Sequence, residues 1–115
     1  MRKSLSKDRI VRSKGEIQAI FQNGKVYSVP DVRLRIKCNG LEYSRIIVIP
    51  VKHFGNSVQR NLVRRQFKEI FRLEQERIET GFDLALVLYK GRTLSYDQKK
   101  EAFTSLIEKA GLLRK

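Results

Sequence analysis

Arg60, Asn61, Arg64, Arg65, Lys68 and Arg72 follow one another closely in the chain, and their spacing suits the gripping of phosphate rather than covalent chemistry. At about 100° per residue on a helix, Asn61, Arg64, Arg65, Lys68 and Arg72 gather on one side. Val63, Phe67, Ile70 and Phe71 gather on another, and Arg60 falls at the margin between them. Arg64–Lys68 and Lys68–Arg72 are like-charge pairs at i,i+4, which repel each other. A helix shaped only for solubility would interleave acids there. Glu69 reads as lying well off the stripe, and Glu74 and Glu76 come only at its end. Successive helical turns rise about 5.4 Å, close to the separation of neighbouring phosphates. Arginine can hold a phosphate with two parallel bonds or stack on an unpaired base. Asn61 could read a base edge or orient an arginine. Just ahead, Lys52, His53 and Gly55 bring further donors to the helix N-terminus, where the helix dipole favours an anion.

Nothing comparable exists for catalysis by the polypeptide. Asp31 and Asp83 read as isolated. There are no paired carboxylates, no Ser/His/Asp set, no glycine-rich phosphate loop and no metal-ligand spacing. His53, the only histidine, could act as a general base, but beside Lys52 it reads as a phosphate or surface contact. Cys38 is alone, so no intramolecular disulfide is possible. At a strand end it reads as a half-buried, inert thiol.

The charge balance agrees with the stripe. Lys and Arg number 25 against 12 Asp and Glu, a net charge of +13 over 115 residues. Such an excess repels itself until a polyanion neutralises it, and counterion release from a phosphate backbone rewards that neutralisation. An anionic membrane or an acidic protein would also suit the charge. The segment Met1 to Asp8 is charged and lacks the apolar stretch of a signal peptide. No apolar run reaches the length of a membrane span. A cytoplasmic protein with no membrane partner is expected.

The elements that must position the stripe can be read in turn. Residues 1–12 form a basic arm that includes Arg9 and Arg12, of a kind often ordered only on phosphate. Ser13 and Glu16 predict a capping box for a helix whose stripe is Ile17, Ile20 and Phe21, and Asn23-Gly24 predicts a left-handed stop. Strict alternation in Val32 to Lys37 puts Arg33, Arg35 and Lys37 on one sheet face. Asn39-Gly40 is a turn signal. Arg45 to Ile49 reads as a central strand buried on both faces, ended by Pro50. Asn56 or Ser57 can cap a helix running to about Thr80, with Gly81 as its stop. Phe82 to Tyr89 reads as a second central strand and Gly91-Arg92 as a turn. Ser95 or Asp97 can open a last helix with a core stripe of Ala102, Phe103, Leu106, Ile107 and Ala110. The expected architecture is a single α+β domain over residues 1–115, in the order α-β-β-β-α-β-α with one central sheet.

The run Val51-Lys52-His53-Phe54-Gly55-Asn56-Ser57-Val58-Gln59-Arg60-Asn61-Leu62-Val63-Arg64-Arg65-Gln66-Phe67-Lys68-Glu69-Ile70-Phe71-Arg72 resembles the signature of the bacterial ribonuclease P protein subunit. That signature is a loop of the type S-K-K-x-G-N-A-V, then R-N-R-x-K-R-x-x-R-E-x-x-R. Element order, length and the early helix ending in Phe21 and Gly24 fit as well, so the resemblance covers nearly the whole chain. It implies a left-handed β-α-β crossover, against the usual right-handed rule. It implies a protein component of an endoribonuclease whose catalysis, with its Mg2+, resides in a large RNA partner, one protein per RNA. That enzyme removes the 5′ leader of precursor tRNA. The resemblance places RNA-subunit contact on Lys52, His53, Arg60, Asn61, Arg64, Arg65, Lys68 and Arg72. It places the leader in a cleft between the first helix and the sheet, near Ile17, Phe21, Arg33 and Arg35. Departures are Leu62 for a basic residue, Val51 for serine, His53 for lysine, Ile10 for a basic residue of the arm, and Ile17 for a common aromatic. On physics alone, a ribosomal or RNA-chaperone protein with no role in cleavage also fits. A DNA-binding regulator fits poorly, because helix-turn-helix spacing is missing.

Overall fold

The alternating run Val32–Cys38 (β2) divides the molecule into two sides: Val32, Leu34 and Ile36 are buried, while Arg33, Arg35 and Lys37 lie on the opposite face. In the computed structural model, which describes residues 9–90 and 95–114, the other elements are α1 (Lys14–Asn23), β1 (Lys25–Val29), β3 (Arg45–Pro50), α2 (Ser57–Glu74), β4 (Phe82–Leu88) and α3 (Tyr96–Lys109). The order is the expected α-β-β-β-α-β-α. The sheet runs β1-β2-β4-β3. β1–β2 and β2–β4 are antiparallel, and β3–β4 are parallel, joined through α2.

One side of the sheet carries the main core. Val32, Leu34, Ile36, Ile46, Val48, Leu84, Leu86 and Leu88 meet Val63, Phe67, Ile70 and Phe71 of α2 and Phe103, Leu106 and Ile107 of α3. Each such fully buried side chain stabilises the fold by roughly 1.5–3 kcal/mol. The predicted core stripes of both helices are therefore the observed ones. The other side is covered in part by α1, where Ile20 packs with Val11 and Ala85, and Ile17 and Ile47 close in around them.

β4 is central, as expected, but β3 lies at the sheet edge. Its unbroken apolar run reflects cover on both faces rather than pairing on both sides. Its outer rim is closed by the preceding chain: Ile10 bridges Ile46, and the Val11 N–H donates to the Ile46 carbonyl at 3.0 Å. This protects an edge that would otherwise present unpaired groups. The arm is thus docked from Arg9 onward; its first eight residues lie outside the described residues, as does the expected Gly91-Arg92 turn.

Several boundaries differ from the sequence reading. α2 stops at Glu74, and a short 3-10 turn, Gln75–Arg77, leads to Ile78, which is buried and bridges Leu113. Gly81, at φ +89, turns the chain into β4 instead of capping α2. Gly24 is extended, not left-handed (φ −77). Glycine is needed there for close approach, since a Cβ would meet the Ile20 carbonyl and lie 2.7 Å from the Ile36 carbonyl. Ser13 caps α1 by accepting from the Glu16 N–H at 3.4 Å, but the Glu16 carboxylate is engaged elsewhere, by Arg45. Reciprocal capping boxes occur instead at Asn56/Gln59 and Ser95/Gln98. Cys38 is exposed rather than half-buried. β1 and β2 meet across Pro30-Asp31, with Asp31 at φ 67.

Candidate nucleic-acid interface

The core contacts of α2 fix which way its opposite face points. Asn61, Arg64, Arg65, Lys68, Glu69 and Arg72 line one shallow groove of about 350 Å³ on that face. Five of the predicted contact residues are thereby brought together. Asn61 orients an arginine: its Oδ1 accepts from Arg64 Nη1 at 3.0 Å. Glu69, expected off the stripe, is part of the groove. Its carboxylate accepts from Arg72 Nε at 3.0 Å and from Nη2 at 2.5 Å. The Arg72 guanidinium holds the Glu69 carboxyl below the usual carboxylate range, so Arg72 carries its own counter-charge and Arg64, Arg65 and Lys68 set the cationic character. At about 100° per residue, Glu69 falls only about 40° beyond Arg65, beside the stripe rather than well off it, and its side chain meets Arg72 three residues on.

Arg60 stands apart from this groove. Its Nη1 donates to the Gly55 carbonyl at 2.7 Å and its Nη2 reaches Ser57 Oγ at 3.4 Å, which ties the 51–56 loop to the first turn of α2. Lys52 and His53 are exposed on that loop.

On the α1 side, β2 sets Arg35 opposite Ala85 and Arg33 opposite Val87. Arg35 lies over the Phe21 ring at 4.9 Å and donates Nη1 to the Phe21 carbonyl at 3.3 Å. Its Nε is buried without a hydrogen-bond partner. Arg33 lies over the Tyr89 ring at 5.3 Å. Each guanidinium thus has an aromatic ring against it, as in cation–π packing. Ile17 is half-buried against the small α1 core. Arg9 lies over Tyr43 at 4.5 Å, and Arg12 is exposed.

What holds α1 to this face was not visible in the sequence. Arg45 Nε and Nη2 donate to the two oxygens of the buried Asp83 at 2.8 and 2.7 Å, and Nη2 also donates to Glu16 of α1 at 2.6 Å. Asn39 Nδ2 donates to the same Asp83 at 2.9 Å. Asp83 is therefore not isolated. An acid inside the otherwise apolar run Phe82–Leu88 signals a buried partner, but only the strand register names Arg45. Tyr89 and Tyr43, the aromatic seats of Arg33 and Arg9, were missed as well.

Among the described residues no three His, Cys, Asp or Glu side chains group as metal ligands, and no helix is long and apolar enough to cross a membrane.

Known proteins resemble the chain over this same ground. The family model described as Ribonuclease P matches residues 5–111. A ribonuclease P protein component of Borreliella burgdorferi is 43% identical over 90 residues, covering 75% of this chain and 76% of that protein. One from Clostridium kluyveri is 32% identical over 107 residues, covering 90% and 96%. The solved RNase P protein of Thermotoga maritima, in complex with 1-(4-fluorophenyl)-2-thiourea, superposes with a TM-score of 0.78 at 25% identity, covering 85% of this chain and 96% of that one. A Staphylococcus aureus RNase P protein mutant with defective mRNA degradation activity shares the fold, with a TM-score of 0.82 at 18% identity over 93% and 92% of the two chains. With a groove of mostly basic side chains on α2 and a family match over residues 5–111, the chain belongs to the ribonuclease P protein family and serves as the protein component of that ribonucleoprotein endoribonuclease.

Proposed function

We propose that this chain works by binding two RNAs on two faces: the catalytic RNA on α2, and the 5′ leader of precursor tRNA in the α1–sheet cleft. The α2 groove carries the first half of the reading. Arg64, Arg65 and Lys68 share one face with a single acid, and that acid is occupied by Arg72. Asn61 steadies Arg64 for a bidentate grip on phosphate, and Arg60 keeps the Lys52–His53 loop beside the helix start. The second half rests on Arg33 and Arg35. Both sit on one sheet face and are backed by aromatics, a surface suited to stacking unpaired bases. Arg9 and Arg12 extend the positive surface next to it.

The bond-breaking step belongs to the RNA partner with its Mg2+. The part of this chain is to neutralise phosphate charge, so that the two RNAs assemble at modest magnesium. The stoichiometry proposed is one protein per RNA subunit, and the compartment is the cytoplasm. The test is reconstitution: the protein is added to a catalytic RNA subunit with precursor tRNA at low magnesium, and leader removal is followed. Stimulation over RNA alone is expected; its absence sinks the reading and leaves a plain RNA-binding protein.

A further inference from the structure

A second cavity, of about 500 Å³, opens beside the first half of α2, between the β1–β2 turn, the 51–56 loop, the end of β4 and the start of α3. Its walls include Phe54, Leu62 and Tyr89, and its rim carries Lys90 and Lys99. Leu62 is 43% exposed and Tyr89 37%, so apolar surface faces water on a protein otherwise rich in charge. Lys99 is half-buried, and its Nζ donates to Gln66 Oε1 at 2.5 Å. That acceptor is neutral, and among the described residues no carboxylate pairs with Lys99. Burial pushes the Lys99 ammonium below the usual lysine range. A phosphate would give that cation a charged partner through charge-assisted bonds. One acid, Asp31, lies among the lining residues.

We propose that this cavity is a site for one unpaired nucleotide of the RNA that docks on α2. Its base enters between Phe54, Leu62 and Tyr89, and its phosphate rests on Lys99 and Lys90. Charge selects the occupant: two lysines at the rim and the basic groove on the same helix favour a polyanion, while the apolar walls favour a flat base over a second phosphate. Leu62 follows Asn61 directly, so an RNA strand lying on the groove is the one placed to turn a nucleotide inward. The inference rests on α2 being the face for the catalytic RNA.

The test measures binding of the full-length protein to the catalytic RNA subunit across a salt series. Variants are Leu62→Gln, Lys99→Met and a control, Arg64→Ala/Lys68→Ala. Leu62→Gln is expected to weaken binding about tenfold with the salt slope unchanged, because a base contact is lost. Lys99→Met is expected to cost about tenfold and to reduce the slope by about one. Leu62→Gln and Lys99→Met combined in one chain are expected to lose less than the product of the two single losses, since both serve one nucleotide. Unchanged affinity in both cavity variants, with loss in the control, overturns the site while the α2 reading stands. No loss in any of the three overturns both. If the cavity variants weaken only the holoenzyme's grip on precursor tRNA, the occupant is a different RNA and the proposal fails. Leu62 is exposed, so that arm survives should Lys99→Met unfold the chain.

Discussion

On α2 the arginines face outward from a single helix, and on the α1 side they are built into the packing. Arg64 is steadied by a neighbour three residues away. Arg35, by contrast, bridges from β2 to the ring and carbonyl of Phe21, and Arg45 bridges from β3 to both β4 and α1. The contrast separates binding from architecture. A cation on the helix face can be removed without disturbing the fold, because its partners are local or in solvent. A cation under α1 supports the cleft itself, so its loss alters the shape of the surface as well as its charge.

Arg45 gives the largest expected effect. Arg45→Met leaves the Asp83 carboxylate, with 7% of its side chain exposed, buried without its ion-pair partner. Breaking such a pair from one side costs about 3–5 kcal/mol. A fall of that size is expected in denaturant unfolding, and Glu16, at 45% side-chain exposure, predicts a far smaller loss for Glu16→Gln. If Arg45→Met unfolds at the wild-type midpoint, the architectural role of this arginine is wrong.

The helix face should behave in the opposite way. Arg64→Ala/Lys68→Ala is expected to leave the unfolding midpoint close to wild type. Affinity for the catalytic RNA should fall by about tenfold for each lost contact, and the salt slope should drop by about two. Filter binding at several salt concentrations reads both. A lower midpoint with an unchanged slope would place these residues with the architecture and erase the contrast.

The same contrast decides what could be read from the sequence. The α2 stripe follows from the helical period alone, so Asn61, Arg64, Arg65, Lys68 and Arg72 were legible, and so was the core stripe of Val63, Phe67, Ile70 and Phe71. Alternation likewise put Arg33 and Arg35 on one face of β2. Their partners do not follow from periodicity: only the family resemblance set Phe21 near them, and Tyr89 meets Arg33 only through the pairing of β2 with β4. Arg45 and Asp83 lie 38 residues apart, and no local pattern joins them. The edge position of β3 was misread for a related reason: cover by α1, α2 and the preceding chain gives an edge strand the same composition as a central one.

Arg35 sits between the two regimes and gives an intermediate effect. Arg35→Ala should weaken the holoenzyme's binding of precursor tRNA about tenfold, with no change for tRNA lacking a leader and no change in RNA-subunit affinity. Arg35→Lys should not restore it, because a lysine ammonium cannot present a planar face to a base. Restoration by lysine would mean that the cleft reads charge alone.

The smallest effect probes the one acid in the α2 groove. Glu69→Gln removes a negative charge beside Lys68 and releases Arg72 from its carboxylate partner. Affinity for the catalytic RNA should rise by about two- to threefold, with a slightly steeper salt slope, since exposed ion pairs are individually weak. The pH dependence carries the sign. The Glu69 carboxyl is held below its ordinary range by Arg72, so the pair persists above the unfolded-state value and is lost only as pH falls through the lower folded-state value. Wild-type affinity should therefore rise in acid as Glu69 is protonated and Arg72 is released, whereas Glu69→Gln should lack that step. If both proteins show the same acid response, Arg72 is not restrained by Glu69, and the groove is cationic along its whole length, as the spacing of its basic residues alone suggested.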